Sequence, residues 1–197
     1  MLSGDIAGLL DTIGINSAHI FGISNGSGLA QIFALHYPER VRSLILASSA
    51  TSGSPRLPSP ELAEFQKNVL AMTPEERAET QIKLFLTQEY INNNPDIVSG
   101  MKKAMQSAAE ASQANPRMMQ WAMTVDTYDQ LPEIEVPTLV IHGETDMVIP
   151  VENARVLASR IPDAELVTFP NTGHYLFEAG DELYKVMMDF LKRHSQQ

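Results

Sequence analysis

A serine between two glycines is the residue best placed to do chemistry in this sequence. The segment from Gly22 to Gly26 reads Gly-Ile-Ser-Asn-Gly, a Gly-x-Ser-x-Gly pattern with Ser24 at its centre. An apolar run ends on Ser24 and a helical pattern begins two or three residues later, which predicts a sharp strand-to-helix turn. Such a turn leaves no room for a Cβ beside the serine, which explains the flanking glycines. Ser24 is the candidate nucleophile, and a helix N-cap is the alternative.

A serine hydroxyl needs a base that takes its proton, and the sequence holds five histidines. His36 lies inside a predicted helix and His194 in the C-terminal tail, so both are interpreted as surface residues. His19 opens a predicted strand and His142 closes one, which favours hydrogen-bonded structural roles. His174 lies in a loop directly after a parallel strand, at the sheet edge where catalytic groups gather. We therefore predict that His174 is the base.

The third group must be an acid that orients His174 and stabilises its charged form. Asp146 and Glu144 both follow the predicted strand that ends at His142, which places them at the same sheet edge as Ser24. The loop after the second predicted strand contains no carboxylate. Asp146 is favoured, and Glu144, which comes earlier in the loop, is the alternative. The resulting chain order Ser, Asp, His is the one that accompanies this kind of turn.

Strands and helices alternate along the parts of the chain that must position these residues. Short apolar runs without polar alternation predict strands buried on both faces at 19–23, 41–47 and 137–142, and a further strand is predicted at 165–169. Helical periodicity predicts helices between them and at both ends. The fold class is therefore α/β, with a parallel sheet of about four strands flanked by helices and right-handed crossovers.

An all-helical segment interrupts this alternation between the second and third strands. It follows a linker rich in Ser, Gly and Pro, and its helices are predicted to begin near Pro60, Pro74, Pro95 and Pro116. The capping-box spacing of Thr73-Pro-Glu-Glu marks one of these starts. We expect a core formed by residues 1–50 and 133–197, with residues 51–132 inserted as a helical lid.

Composition narrows the classes of partner. The formal net charge of −10 and the lack of a basic stripe argue against nucleic acid and anionic membranes as partners. The chain has no cysteine, so it has no disulfide framework and no thiol nucleophile. No signal peptide, metal-ligand spacing or dinucleotide fingerprint is found. We expect a cytoplasmic protein without a metal or a cofactor.

The residues around these motifs resemble a known family. HIFGISNGSGLA at 19–30, YPERVRSLIL at 37–46 and IEVPTLVIHGETD at 134–146, together with Gly173-His174, are similar to lidded α/β-hydrolases. The likeness is greatest to the esterase and 3-oxoadipate enol-lactonase branch, covers nearly the whole chain and is weakest through the lid.

The resemblance implies a triad of Ser24, Asp146 and His174, with the backbone N–H of Asn25 as one oxyanion donor. It implies hydrolysis of small to medium carboxylic esters or lactones through an acyl-enzyme. The alternative is a weak or inactive hydrolase-fold fragment that acts as an oligomerising or ligand-binding subunit.

The chain departs from the family pattern in two places. Ser27 stands where the family usually has glycine, but serine is small enough to keep helix and strand close. Family members also begin with four further strands and a helix, so we expect an N-terminally truncated α/β-hydrolase fold without the loop that supplies the second oxyanion donor. The strand His19–Ile23 would then have a free edge. We expect a homodimer or a strand-exchanged oligomer through this edge.

Overall fold

Four parallel strands form the sheet in the computed structural model of the chain, which describes residues 2–51, 53, 57–111 and 126–195. The predicted fold class, α/β with a four-stranded parallel sheet flanked by helices, is confirmed. Neighbouring strands are hydrogen-bonded in chain order, β1-β2-β3-β4. The strands are β1 (Ala18–Ile23), β2 (Val41–Ala47), β3 (Thr138–Gly143) and β4 (Glu165–Phe169).

The described residues contain eight α-helices and three short 3₁₀ helices. The α-helices are α1 (Leu2–Thr12), α2 (Asn25–His36), α3 (Pro60–Asn68), α4 (Pro74–Phe85), α5 (Gln88–Asn93), α6 (Pro95–Ala111), α7 (Val151–Arg160) and α8 (Asp181–Arg193). The 3₁₀ helices span Pro38–Arg40, Tyr128–Glu133 and Leu176–Ala179. No helix within these described ranges is long and apolar enough to cross a bilayer. The helix predicted near Pro116 lies outside the described residues.

The two faces of the sheet carry separate parts of the core. On β2, the side chains of Leu44 and Leu46 pack with α1, α2 and α7, whereas Ile45 and Ala47 pack with α8. This alternation follows from the two-residue period of a strand. All four side chains are buried, which explains the continuous apolar run in the sequence.

Helices α3 to α6 lie between β2 and β3, as the composition change predicts. Leu84 of α4 packs in one cluster with Val148 and Ile149, which follow β3. Thr73 and Glu76 form the predicted capping box at the start of α4. Helix α4 therefore rests on the edge of the sheet where the candidate site residues gather, while the boundaries of a lid at 51 and 132 stay a prediction.

Strand β1 lies at one edge of the sheet. Among the residues that the structure describes, β1 pairs with β2 on one side only. Phe21 and Ile23 lie on the same face of this strand and are 49% and 40% exposed. An unpaired apolar edge is a template for association. Pairing between chains through His19–Ile23 stays a prediction.

Candidate active site

Ser24 occupies a strained turn between β1 and α2. Its backbone adopts φ 50° and ψ −122°, a conformation that L residues rarely adopt. Such a position costs about 1–3 kcal/mol and persists only where the surroundings enforce it. Here Ser24 N–H donates to Ala47 O at 3.0 Å, and Ser27 N–H donates to Ser24 O at 3.0 Å. The sheet on one side and the first turn of α2 on the other thus hold the serine in this turn.

The two glycines that flank Ser24 differ in what they do. A Cβ on Gly22 would lie 2.7 Å from Ala30 Cβ, from Gly26 O and from Ser27 Cα, so only glycine lets α2 approach β1 this closely. A Cβ on Gly26 would have no neighbour within 4 Å. The prediction that crowding requires both glycines is therefore wrong for Gly26, which faces open space at the start of α2.

His174 lies between Ser24 and Asp146 and within hydrogen-bonding distance of both. His174 Nε2 lies 3.1 Å from Ser24 Oγ, and His174 Nδ1 lies 2.8 Å from Asp146 Oδ2. His174 and Asp146 are buried and Ser24 is half-buried. The structure thus brings together the three residues that the sequence singled out, from loops that follow β1, β3 and β4.

Asp146 is held by donors on both carboxylate oxygens. Its Oδ1 accepts the backbone N–H of Val148 at 2.8 Å and of Ile149 at 2.9 Å. Its Oδ2 lies 2.8 Å from His174 Nδ1 and 3.2 Å from His142 Nε2. Burial raises the pKa of Asp146, but the hydrogen bonds and charges of the two imidazoles outweigh burial and lower the pKa to about 2. Asp146 is therefore ionised at neutral pH.

Glu144, the alternative acid, is placed elsewhere. It is exposed, and its carboxylate accepts the hydroxyl of Thr168 on β4 at 2.8 Å. Gly143, the last residue of β3, allows the acid loop to contact the histidine loop. A Cβ on Gly143 would lie 2.2 Å from Thr172 O and 2.3 Å from Gly173 O. This close approach places Asp146, and not Glu144, against His174.

Contacts from outside the three residues position His174. Ser48 Oγ donates to the backbone carbonyl of His174 at 2.7 Å. The ring of Phe85, the last residue of α4, lies 5.3 Å from the His174 ring, and Tyr175 N–H donates to Phe85 O at 3.1 Å. Glu178 accepts from Gly173 N–H at 3.3 Å. None of these contacts is evident from the sequence, in which the loop that contains Ser48 has only the composition of a linker.

The remaining histidines have other surroundings. His19 Nδ1 contacts Ser43 Oγ at 2.7 Å, in agreement with the predicted structural role. His36 is exposed, as predicted, but His194 is half-buried and its ring lies 4.8 Å from that of Phe190. His194, directly after α8, is therefore only partly exposed, because its ring contacts that of Phe190. No group of three or more metal-ligating side chains occurs in the part of the chain that the structure describes.

A parallel sheet with a strand-serine-helix turn and a Ser-His-Asp contact at its carboxyl edge is the arrangement of α/β hydrolases. A sequence model described as the alpha/beta hydrolase fold matches residues 1–181, so the chain belongs to the α/β-hydrolase family. The chain is 30% identical to the 2-hydroxy-6-oxononadienedioate/2-hydroxy-6-oxononatrienedioate hydrolase of Burkholderia vietnamiensis, over 95% of this chain and 67% of that protein. It thus spans about two thirds of the length of this relative.

Two solved structures are similar to this chain. A thermophilic esterase from Thermogutta terrifontis has a TM-score of 0.74 and 26% identity, over 98% of this chain and 71% of the esterase. Est816, described as an N-acyl homoserine lactone degrading enzyme, has a TM-score of 0.71 and 26% identity, over 95% of this chain and 72% of Est816. The family resemblance predicted from the sequence is confirmed.

Proposed function

We propose that the protein is a serine hydrolase that cleaves a carboxylic ester or lactone through an acyl-enzyme on Ser24. One observation carries the proposal. Ser24 Oγ lies 3.1 Å from His174 Nε2, and His174 Nδ1 lies 2.8 Å from Asp146 Oδ2. This is the order of contacts that a nucleophile, a base and an orienting acid require.

The reaction begins when Ser24 Oγ forms a bond to the substrate carbonyl carbon and His174 Nε2 accepts the hydroxyl proton. Asp146 stabilises the positive charge that forms on His174. The bond from the carbonyl carbon to the leaving oxygen then breaks, and His174 gives the proton to that oxygen. Water attacks the acyl-enzyme by the same route, with His174 again taking and returning one proton, and this releases the carboxylic acid and restores Ser24.

The backbone N–H of Asn25 is assigned to the negative oxygen of the tetrahedral intermediate. Asn25 is the first residue of α2. The first N–H groups of a helix have no acceptor within the helix, and its N-terminus carries partial positive charge. Removal of one such donor typically lowers kcat by about 10²- to 10³-fold. Because the donor belongs to the backbone, we expect the Asn25→Ala variant to keep it.

The similar proteins support two substrate classes. The esterase and the lactone-degrading enzyme, both 26% identical to this chain, favour carboxylic esters and lactones. The relative from Burkholderia vietnamiensis supports a second candidate, a 2-hydroxy-6-oxo-dienedioate. Both classes present a carbonyl carbon that Ser24 would attack. In the dienedioate a carbon–carbon bond would break in place of the carbon–oxygen bond, and the leaving carbon would receive the proton from His174.

A non-catalytic role as an oligomerising or ligand-binding subunit is the alternative from another class. The observation in its favour is the edge strand β1, on which the apolar side chains of Phe21 and Ile23 are partly exposed. Under this alternative the chain would associate as a homodimer or exchange strands through His19–Ile23 without turning over esters.

Turnover of p-nitrophenyl esters of graded acyl length tests the proposal. We expect wild-type protein to release p-nitrophenol and Ser24→Ala to lose this activity. Ser159→Ala is the matched control, because the exposed hydroxyl of Ser159 on α7 donates to Val156 O in its own helix, away from the candidate site. Equal rates in wild type and Ser24→Ala would contradict the assignment. Turnover of a 2-hydroxy-6-oxo-dienedioate with no turnover of esters would favour the second substrate class.

A further inference from the structure

His142 is a fully buried histidine near the end of β3, and the proposed reaction gives it no step. The residue is 0% exposed. Ser49 N–H donates to His142 Nδ1 at 3.3 Å, and His142 Nε2 lies 2.8 Å from Ile149 O. The same Nε2 lies 3.2 Å from Asp146 Oδ2. His142 therefore lies between the loop after β2 and the loop that carries Asp146, with partners for both ring nitrogens.

These partners determine which ring nitrogen of His142 carries the proton. The backbone N–H of Ser49 can only donate, so Nδ1 must accept and carries no proton. The ring proton then lies on Nε2. Both neighbours of Nε2, the carbonyl of Ile149 and the carboxylate of Asp146, are acceptors. His142 thus presents one N–H that is shared between a backbone carbonyl and the carboxylate that contacts His174.

We propose, on the premise that Ser24 is the nucleophile, that His142 is a positioning residue that acts on His174 through Asp146. Its Nε2–H competes with His174 Nδ1–H for the same oxygen, Asp146 Oδ2. A carboxylate oxygen that accepts from two imidazoles is a weaker acceptor for each of them. His142 thereby limits how strongly Asp146 holds a proton on His174, so that more of His174 stays free to accept the proton of Ser24.

The second carboxylate oxygen of Asp146 keeps the carboxylate in the orientation in which His142 and His174 contact the same oxygen. Oδ1 of Asp146 accepts from the backbone N–H groups of Val148 and Ile149, so the carboxylate cannot rotate to separate the two imidazoles. His142 is itself fixed by Ser49, the residue next to the Ser48 hydroxyl that donates to the His174 carbonyl. The same short loop after β2 therefore contacts both histidines. Loss of the His142 donor affects His174 through the oxygen that both rings contact, Asp146 Oδ2.

Two substitutions distinguish the contribution of His142 Nε2 from that of His142 Nδ1. A glutamine side chain reaches about as far as Nε2, so His142→Gln keeps a donor beside Asp146. An asparagine reaches only about as far as Nδ1, so His142→Asn keeps a partner for Ser49 and loses that donor. His19→Asn is the matched control, because His19 also lies in the sheet and bonds a side chain, Ser43, away from Asp146.

The readout is the ¹⁵N NMR titration of the His174 ring in histidine-labelled protein, which does not require activity. We expect the titration midpoint to be higher in His142→Asn than in wild type, since Asp146 Oδ2 then accepts from His174 alone. His142→Gln and His19→Asn should keep the wild-type midpoint. In an active enzyme, the midpoint of the acid limb of the pH profile of kcat/KM should move to higher pH by the same amount.

An unchanged midpoint in folded His142→Asn would overturn the proposal, because a purely structural histidine affects stability and not the titration of His174. If His142→Asn does not fold, the ¹⁵N spectrum of wild-type protein tests the proposal, because it shows which ring nitrogen of His142 carries the proton. A ring proton on Nδ1 of His142 at pH 8 would overturn the proposal, and a proton on Nε2 supports it. Absence of ester turnover in wild type would instead contradict the proposed function. The NMR result would still test the effect of His142 on His174, because it does not depend on activity.

Discussion

The substitution Asp146→Asn tests the electrostatics of the site through the stability of the protein. The pKa of Asp146 is lowered from 3.8 to about 2, because hydrogen bonds from His142 and His174 outweigh its burial. One tenfold change in proton affinity corresponds to about 1.4 kcal/mol, so the ionised carboxylate stabilises the fold by about 2 kcal/mol. Because the pKa is lowered on folding, this contribution is complete above the unfolded value of 3.8 and is lost as the pH falls toward about 2.

Urea unfolding of wild type and Asp146→Asn at pH 6 and pH 3 measures this contribution. The difference in the free energy of unfolding between the two proteins should shrink by about 1 kcal/mol from pH 6 to pH 3, since about half of the contribution is lost by then. Other carboxylates cancel in the comparison. Asp189→Asn, at an exposed position on α8, controls for the loss of one surface charge. A difference that is the same at both pH values would refute the reasoning.

The same variant has a predicted effect on catalysis. An asparagine that keeps the Val148 and Ile149 contacts through its carbonyl oxygen places its NH₂ group where Asp146 Oδ2 stood. That group cannot accept the Nδ1 proton of His174, so the imidazole adopts the tautomer with Nε2 protonated and cannot take the proton of Ser24. We expect kcat to fall by about 10³- to 10⁴-fold, measured with the ester that wild type turns over fastest.

Four further substitutions have defined outcomes. Gly22→Ala forces a Cβ into three contacts at 2.7 Å and should lower the free energy of unfolding by about 1–3 kcal/mol in urea, whereas Gly26→Ala, which meets open space, should not. Ser48→Ala removes the donor to the His174 carbonyl and should lower kcat about tenfold with KM unchanged in steady-state assays. An unchanged kcat would contradict that role. Phe21→Lys should convert an associating wild type into a monomer by light scattering, and a monodisperse wild-type monomer at micromolar concentration would contradict the edge-strand prediction.

The central strands β2 and β3 could be predicted from the sequence because they are buried on both faces. The same prediction is wrong for β1, because Phe21 and Ile23 are exposed on this edge strand. The β2 run Val-Arg-Ser-Leu-Ile-Leu-Ala ends in four consecutive apolar residues, which distinguishes it from the amphipathic helices on either side. Helix α5 could not be predicted, since six residues are too few to show a helical period. Its N-cap Thr87, which accepts from Tyr90 N–H, was the one local signal.

The candidate site also contains some features that could be predicted from the sequence and others that could not. Ser24, Asp146 and His174 could be predicted because each follows a strand at the same edge of a parallel sheet. The contact between His142 and Asp146 could not be predicted, because the three residues between them have no fixed period once the strand ends. The bond from Ser48 to His174 joins residues 126 apart in the chain, and only the folded sheet brings them together.

Labelling with a fluorophosphonate tests the assignment of Ser24 most directly, because this electrophile reacts with an activated serine and leaves the phosphonyl group on Oγ. Peptide mass spectrometry should locate the added group on Ser24 in wild type. The group should be absent in Ser24→Ala, and labelling should be strongly slowed in His174→Ala, which lacks the base. Labelling of wild type at another residue, or equal labelling of wild type and Ser24→Ala, would contradict the account.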